Sequence, residues 1–392
     1  MENPAPTKHL PYLDGLRALT AIYVVLYHSV LQLNFRGQPP GAFARGFLQC
    51  FLFGHYAVAV FIALSGFCLM LPIVRGDGAI RGGALQFLVR RAWRILPPYY
   101  CAMAFSLLLI WLLIGQKTGT HWDVSIPVTG RSMLLHLLLV QDLFAEQANI
   151  NHVFWSISVE WRVYFLFPLI VLAWARFGAL ATALATVALS YLVFLCAGAW
   201  LGNPLAAHYI GIFALGALGA SVAFPSGAGM ARLARLPWHW ILAGLTLALA
   251  MALFPGWWGG PHLHIYVADY LVGVWSMALL AAVAGNPDGW FGRLLSFRPL
   301  VFVGTFAYSL YLIHAPLLQV LWQYAFFPLQ GRPLWMFSAL ALVGTPLIIA
   351  FAYGFFLVCE RPFLGAGARQ AGASGAPWRS FPWLATSSPT PS

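Results

Sequence analysis

The chain has 392 residues, of which 61% are hydrophobic and only 8% charged. Soluble domains carry about 25% charged residues, so the composition excludes a soluble enzyme and describes an all-α polytopic membrane protein. The formal net charge of +11 is read as membrane topology, not as affinity for nucleic acid.

Residues 1–9 form a short polar tail. The apolar stretch from Leu10 to Ser29 carries Arg17 near its start and His28 deep inside, 11 residues apart. At helical pitch that is three turns plus about 20°, so both share a face, roughly 16 Å apart along the axis, about half a bilayer core. Ionisable groups at such depth are functional suspects. The plainer alternative has Arg17 reaching lipid headgroups and His28 bonding a neighbouring helix. Asp14, three residues before Arg17, can pair with it. Arg17 interrupts the apolar core and no small-x-small site follows, which predicts a retained first span rather than a cleaved signal.

Further spans follow in order. The second covers about Tyr56–Val74 and contains Ser65; the basic segment Arg75–Arg94 leads into a third, about Pro98–Gly115. Residues 116–151 form the longest connection, and its apolar run Met133–Val140 is too short to cross, which suits a surface or re-entrant helix. The fourth span ends near Trp174. The run from Phe177 to Ala231 has no Asp, Glu, Lys or Arg and accommodates two spans around a Gly202-Asn203-Pro204 turn. The remaining spans cover about Trp238–Phe254, Ala268–Ala284, Leu300–Trp322 and Leu334–Val358. This predicts about ten transmembrane helices within residues 10–364, followed by a Gly/Ala/Ser/Pro-rich tail, residues 365–392, that reads as disordered. With both termini cytoplasmic, 15 of the 21 basic residues lie inside and 5 outside, with Arg162 inside the fourth span; the positive-inside bias supports that orientation.

Several side chains carry chemistry. In the fourth span His152, Ser156, Glu160 and Tyr164 recur every fourth residue and share a face, so Glu160 is a candidate acid/base or orienting carboxylate; the alternative is a buried ion pair with Arg162. In the ninth, Tyr311 and His314 lie on adjacent faces, with His314 about 21 Å up its helix, a depth similar to that expected for His28 and Glu160. Interhelical hydrogen bonding is the structural alternative. Arg90, Arg91 and Arg94 fall on one helical turn at the inner surface, which suits a polyphosphate or an anchor on anionic lipid. Ser65 sits in a nucleophile-like setting, yet no acid lies at a diagnostic spacing, and tight packing at the Ser65-Gly66 pair is the simpler reading. No CxxC pair occurs among the five cysteines and His262/His264 is a weak metal signature, so no metal site is expected.

Six segments together resemble the acyltransferase-3 family of integral-membrane acyltransferases. They are Leu13-Asp-Gly-Leu-Arg-Ala18 followed by His28, Phe61-Ile-Ala-Leu-Ser-Gly-Phe67, Arg90-Arg-Ala-Trp-Arg-Ile-Leu-Pro97, Trp155-Ser-Ile-Ser-Val-Glu-Trp161, Tyr308-Ser-Leu-Tyr-Leu-Ile-His314 and Glu360-Arg-Pro-Phe363. They occur in order, at the expected span boundaries, over roughly residues 8–364. The resemblance implies transfer of an acyl group, often acetyl, from cytoplasmic acyl-CoA as co-substrate, with no bound cofactor. The implied acceptor is a hydroxyl of an envelope glycan or a glycosylated small molecule, and the implied location is a bacterial-type inner membrane. It implies an essential Arg17–His28 pair and a donor region at Arg91 and Arg94, with Arg90 as a neighbour, and Glu160 sits in a matching motif. Together with the residue readings this gives His28 and Glu160 as catalytic candidates, Arg17, Arg90, Arg91 and Arg94 as the acyl-CoA-binding set, and Tyr311, His314 and Ser65 as supporting or acceptor-side candidates. Arg162 and Val163 depart from the family's pattern. The rival class is a secondary transporter or exporter, which would show broken helices in both halves of the chain.

Overall fold

The structure, a computed structural model, describes residues 9–33, 41–201, 205–254 and 264–365. No strand occurs among them. The helices are α1 (Pro11–Leu31), α2 (Ala42–Gln49), α3 (Gly54–Val74), α4 (Gly83–Leu109), α5 (Gly130–Leu137), α6 (Trp155–Phe177), α7 (Ala179–Leu201) and α8 (His208–Ala223). Then follow α9 (Ala228–Ala234), α10 (Trp238–Leu253), α11 (Ile265–Gly285), α12 (Trp290–Leu295), α13 (Arg298–Gly304), α14 (Ala307–Val320), α15 (Pro333–Ala339) and α16 (Thr345–Phe355). Most of the N-terminal tail, Arg36, the Gly202–Pro204 turn, His262 and almost all of the C-terminal tail lie outside the described residues.

Every predicted span falls on a helix or a consecutive helix pair. Six helical stretches are long and apolar enough to cross a membrane, or up to eight if each bent pair counts as one span. The bent pairs are α8 with α9, at 95°, and α13 with α14, at 77°. Two of the expected ten spans fall short of that test. Helix α10 has only 16 residues, and the 21-residue α1 carries Asp14, Arg17 and His28 within its length.

The polarity of the fold is that of a protein solvated by lipid. Trp111, Trp240, Leu342 and Val358 are each more than 70% exposed, whereas Asn151, Asp269, Ser309, His314 and Gln319 are fully buried. With no water in the hydrocarbon, polar side chains find partners inside the bundle. Among the described residues, helices α3 and α8 form the most extensive interhelical contact. Gly66 of α3 lies against the Phe213 carbonyl and Gly216 of α8 against the Ala63 carbonyl, so close that a Cβ on either would sit about 2 Å from that oxygen. Small residues of this kind let membrane helices pack backbone to backbone.

The connection between α4 and α6 folds back over one end of the bundle. Met133–Val140 does not cross. Its helical part, α5, is tied to α4 by the Tyr99 and Tyr100 hydroxyls, which donate to the carbonyls of His136 (3.1 Å) and Leu137 (2.7 Å). Met133, Leu134, Leu137 and Leu138 stay exposed, as expected of a helix lying along an interface. Further on, Arg162 holds both carboxylate oxygens of Asp142, at 2.9 and 2.5 Å. Its ion-pair partner is therefore on this connection and is not Glu160.

Candidate active site

A cavity of about 390 Å³ runs between α1, α3, α4, α6 and α14. Arg17, Ser65, Arg91, Arg94, Glu160, Tyr308 and Glu360 line it, and Ser156 and Tyr311 form part of its wall. Arg17 lines the cavity, whereas His28, about three turns on, is not among its lining residues and belongs to a histidine cluster with His314 and His152. Arg17 donates to Asp14 Oδ1 (2.5 Å) and to Cys68 Sγ (3.0 Å), so its head is held at the wall instead of reaching to headgroups. His9, just outside the helix, gains a partner in the same Asp14 (2.7 Å), and this hydrogen bond outweighs burial to raise its pKa.

The arginine turn of α4 does not act as one unit. Arg91 and Arg94 reach the cavity, but Arg90 is absent from its lining and donates to the Arg81 carbonyl at 2.7 Å. This corrects the expectation that all three arginines present themselves together. Arg91 Nε is buried with no hydrogen-bond partner, a costly arrangement for a cationic donor unless an anion satisfies it.

Glu160 also lines the cavity. It accepts from Ser65 Oγ (2.9 Å) and from the Tyr164 hydroxyl (2.5 Å), and it orients those two groups, not His28. Ser65 thus has the carboxylate partner that no local spacing revealed, contributed by a residue 95 positions away. A second carboxylate, Glu360, lines the cavity and accepts from Ser309 Oγ at 2.5 Å. Its Glu-Arg-Pro-Phe segment was visible in the sequence, but nothing there put its side chain in this cavity.

His28 is instead held by His314. Nδ1 of His28 lies 3.0 Å from the Val24 carbonyl and 3.0 Å from His314 Nε2. Nδ1 of His314 lies 2.7 Å from the Tyr311 carbonyl. A carbonyl only accepts, so both Nδ1 atoms carry the hydrogen and His314 Nε2 is an acceptor. The same logic leaves His28 Nε2 with its lone pair free. The Tyr311 hydroxyl bonds Ser156 Oγ at 2.6 Å and donates to the Val153 carbonyl, and the Tyr311 ring, part of the cavity wall, lies 5.8 Å from that of His314.

Two more imidazoles complete the cluster. The ring centres of His152 and His121 lie 4.9 and 6.0 Å from that of His28. His152, at the foot of α6, was part of the predicted stripe; His121, on the connection, was missed, because nothing in its local sequence points inward. It is brought there by Thr118 and Thr120, which bond Gln319 of α14 at 3.0 and 2.9 Å, while Gln319 also accepts from Gln32 at the end of α1. Burial lowers the pKa of His121 below the usual imidazole value, which favours its neutral form.

Fold and site together define a membrane-embedded protein with an internal arginine-lined cavity and a cluster of imidazoles close to its wall, an arrangement suited to group transfer. A family model described as an acyltransferase domain matches residues 10–357, and the chain belongs to the acyltransferase-3 family of integral-membrane acyltransferases. It is 26% identical over 388 residues to YrhL of Bacillus subtilis, covering 93% of this chain and 56% of that protein. To the peptidoglycan O-acetyltransferase OatA of Listeria monocytogenes it is 22% identical over 349 residues, covering 79% of this chain and 50% of the relative. A stretch of 171 residues is 31% identical to the acyltransferase MdmB of Streptomyces mycarofaciens, covering 42% and 40% of the two chains. The chain spans about half the length of the first two relatives. No solved structure matches it.

Proposed function

We propose that this protein moves an acyl group, most simply acetyl, from cytoplasmic acyl-CoA to a hydroxyl of a glycan or glycosylated small molecule on the far side of a bacterial-type inner membrane. The observation that carries this reading is the cavity itself, with Arg17, Arg91 and Arg94 along it and the hydrogen-bonded Ser156 and Tyr311 in its wall, Tyr311 beside the His314 that bonds His28. The CoA phosphates dock at Arg91 and Arg94, where the unpartnered Nε awaits an anion. The narrow pantetheine arm extends past Arg17. Movement of the Ser156–Tyr311 pair then exposes the thioester to His28.

His28 Nε2 takes the proton of the incoming hydroxyl as its oxygen attacks the thioester carbonyl. The C–S bond breaks, the new ester forms, and the proton passes to the departing thiolate, giving CoA-SH. Protonation makes His28 an imidazolium whose Nδ1–H already points at His314 Nε2 and the Val24 carbonyl, two acceptors that stabilise it without rearrangement. Glu160 serves the donor side, holding Ser65 and Tyr164 and offsetting the charge of Arg91. About ten crossings with both termini inside would put the arginines at the cytoplasmic face, in keeping with the positive-inside bias.

The transporter alternative is less well supported. Both bent helix pairs lie in the second half of the chain, so among the described residues there is no matching break in the first half.

The direct test is purified protein in proteoliposomes with labelled acetyl-CoA and a soluble glycoside. Acceptor-dependent label transfer is expected; tight binding of acetyl-CoA without turnover across a broad glycoside panel would count against the reading. Arg91→Ala is expected to raise the KM for acetyl-CoA by about tenfold or more, the cost of losing a charge-assisted contact, with kcat much less affected. Arg91→Lys should recover only part of it, because an ammonium cannot reproduce the guanidinium fork. Initial rates at varied acetyl-CoA check both variants.

A further inference from the structure

We propose that His28, His121 and His152 form a zinc site, and that zinc bound there switches transfer off. One ring nitrogen from each lies within 4.8 Å of the other two. A tetrahedral zinc ion with bonds near 2.0–2.1 Å needs its nitrogens about 3.4 Å apart, so closure takes shifts of about an ångström shared by three side chains. The rings come from α1 and from the two ends of the connection between α4 and α6, where His121 and His152 stand 31 residues apart, so they converge on one point without any local motif.

The surroundings are those of a ligand set. Metal-binding histidines use their second nitrogen to donate to a fixed acceptor, which aims the first nitrogen at the ion. His28 does this through Nδ1 to the Val24 carbonyl (3.0 Å), and His152 Nδ1 lies 3.1 Å from Ser125 Oγ. His152 is 8% exposed, and its Nε2 is buried without a partner. Such a nitrogen gains a strong interaction only when something with an empty orbital or a proton arrives. Three neutral imidazoles with no carboxylate in the group select zinc-like transition ions over magnesium or calcium. A three-histidine site also leaves one coordination position open.

The switch rests on the general-base reading of His28. Zinc would occupy the Nε2 lone pair needed for the hydroxyl proton, so metal and proton compete for one electron pair. The ion is a bound effector here and takes no part in the reaction.

The full chain in detergent is titrated with Co²⁺, whose tetrahedral complexes absorb visibly, and zinc content is counted after dialysis. About one ion per chain is expected, with a tetrahedral cobalt spectrum. His121→Ala and, as a second variant, His152→Ala should each weaken cobalt binding by more than the roughly 10–100-fold that loss of a ligand's hydrogen-bond partner costs. His121→Ala should retain zinc-free transfer but resist zinc inhibition. No stoichiometric binding, or binding unchanged in both variants, would overturn the site even if His28→Ala is inactive. Stoichiometric zinc with transfer unchanged or raised would overturn the switch, and with it the assignment of His28 as base, while the metal site stands.

Discussion

Replacing His28 with Ala is expected to lower acyl transfer by about 10²–10⁴-fold, the range that a positioned general base contributes, or about 3–5 kcal/mol of barrier. The protein should remain folded, because His28 is only partly buried and makes its hydrogen bonds to Val24 and His314 through a single ring nitrogen. The measurement pairs initial rates in proteoliposomes with gel filtration in detergent. A monodisperse variant with wild-type turnover would remove His28 from the mechanism. His314 touches no reacting atom in this scheme and acts by positioning. His314→Ala should therefore reduce kcat by less than loss of His28, with the KM for acetyl-CoA unchanged. His314→Gln, which retains an acceptor for the His28 Nδ1–H, should restore part of the loss; a purely structural role for His314 would not produce that rescue.

Gly216→Val is expected to prevent formation of a stable fold. The new Cβ would lie 1.8 Å from the Ala63 carbonyl oxygen, and the clash is with backbone, which no rotamer change relieves. Overpacking a well-formed core costs about 1–3 kcal/mol when side chains can adjust. Here α3 and α8 must separate along their length, so the cost exceeds that range. Gly66 on the facing helix, with the Phe213 carbonyl 2.0 Å from its own added Cβ, shows that the approach is mutual. Gly244→Ala is the control: it lies on α10, with nothing within 4 Å of the added methyl, and removes a glycine from a helix interior, a change worth up to about 1 kcal/mol in favour of the helix. Yield of monodisperse protein and the apparent Tm distinguish the two, with Gly216→Val aggregating and Gly244→Ala matching or exceeding the parent.

The sequence by itself determined the placement of the helices, the pairing of Arg17 with Asp14, and the arginine turn in the first half of α4. These are local properties. Hydropathy over about 20 residues identifies a span, and a period of 3.6 residues decides which side chains share a face. That is why Arg17 and His28 could be aligned, why Met133–Val140 was excluded as a crossing, and why the segments of the family pattern stood out. Partnerships between helices were decided only in three dimensions. His28 meets His314 across 286 positions, Ser65 meets Glu160 across 95, and Arg162 turns back to Asp142 instead of Glu160. Arg90 leaves the cavity for a carbonyl nine residues earlier, and His121 arrives because two threonines beside it find Gln319. Each depends on crossing angles, axial register and the path of a connecting loop, set by packing across the whole bundle; one-dimensional periodicity carries no information about which face of which neighbour lies opposite.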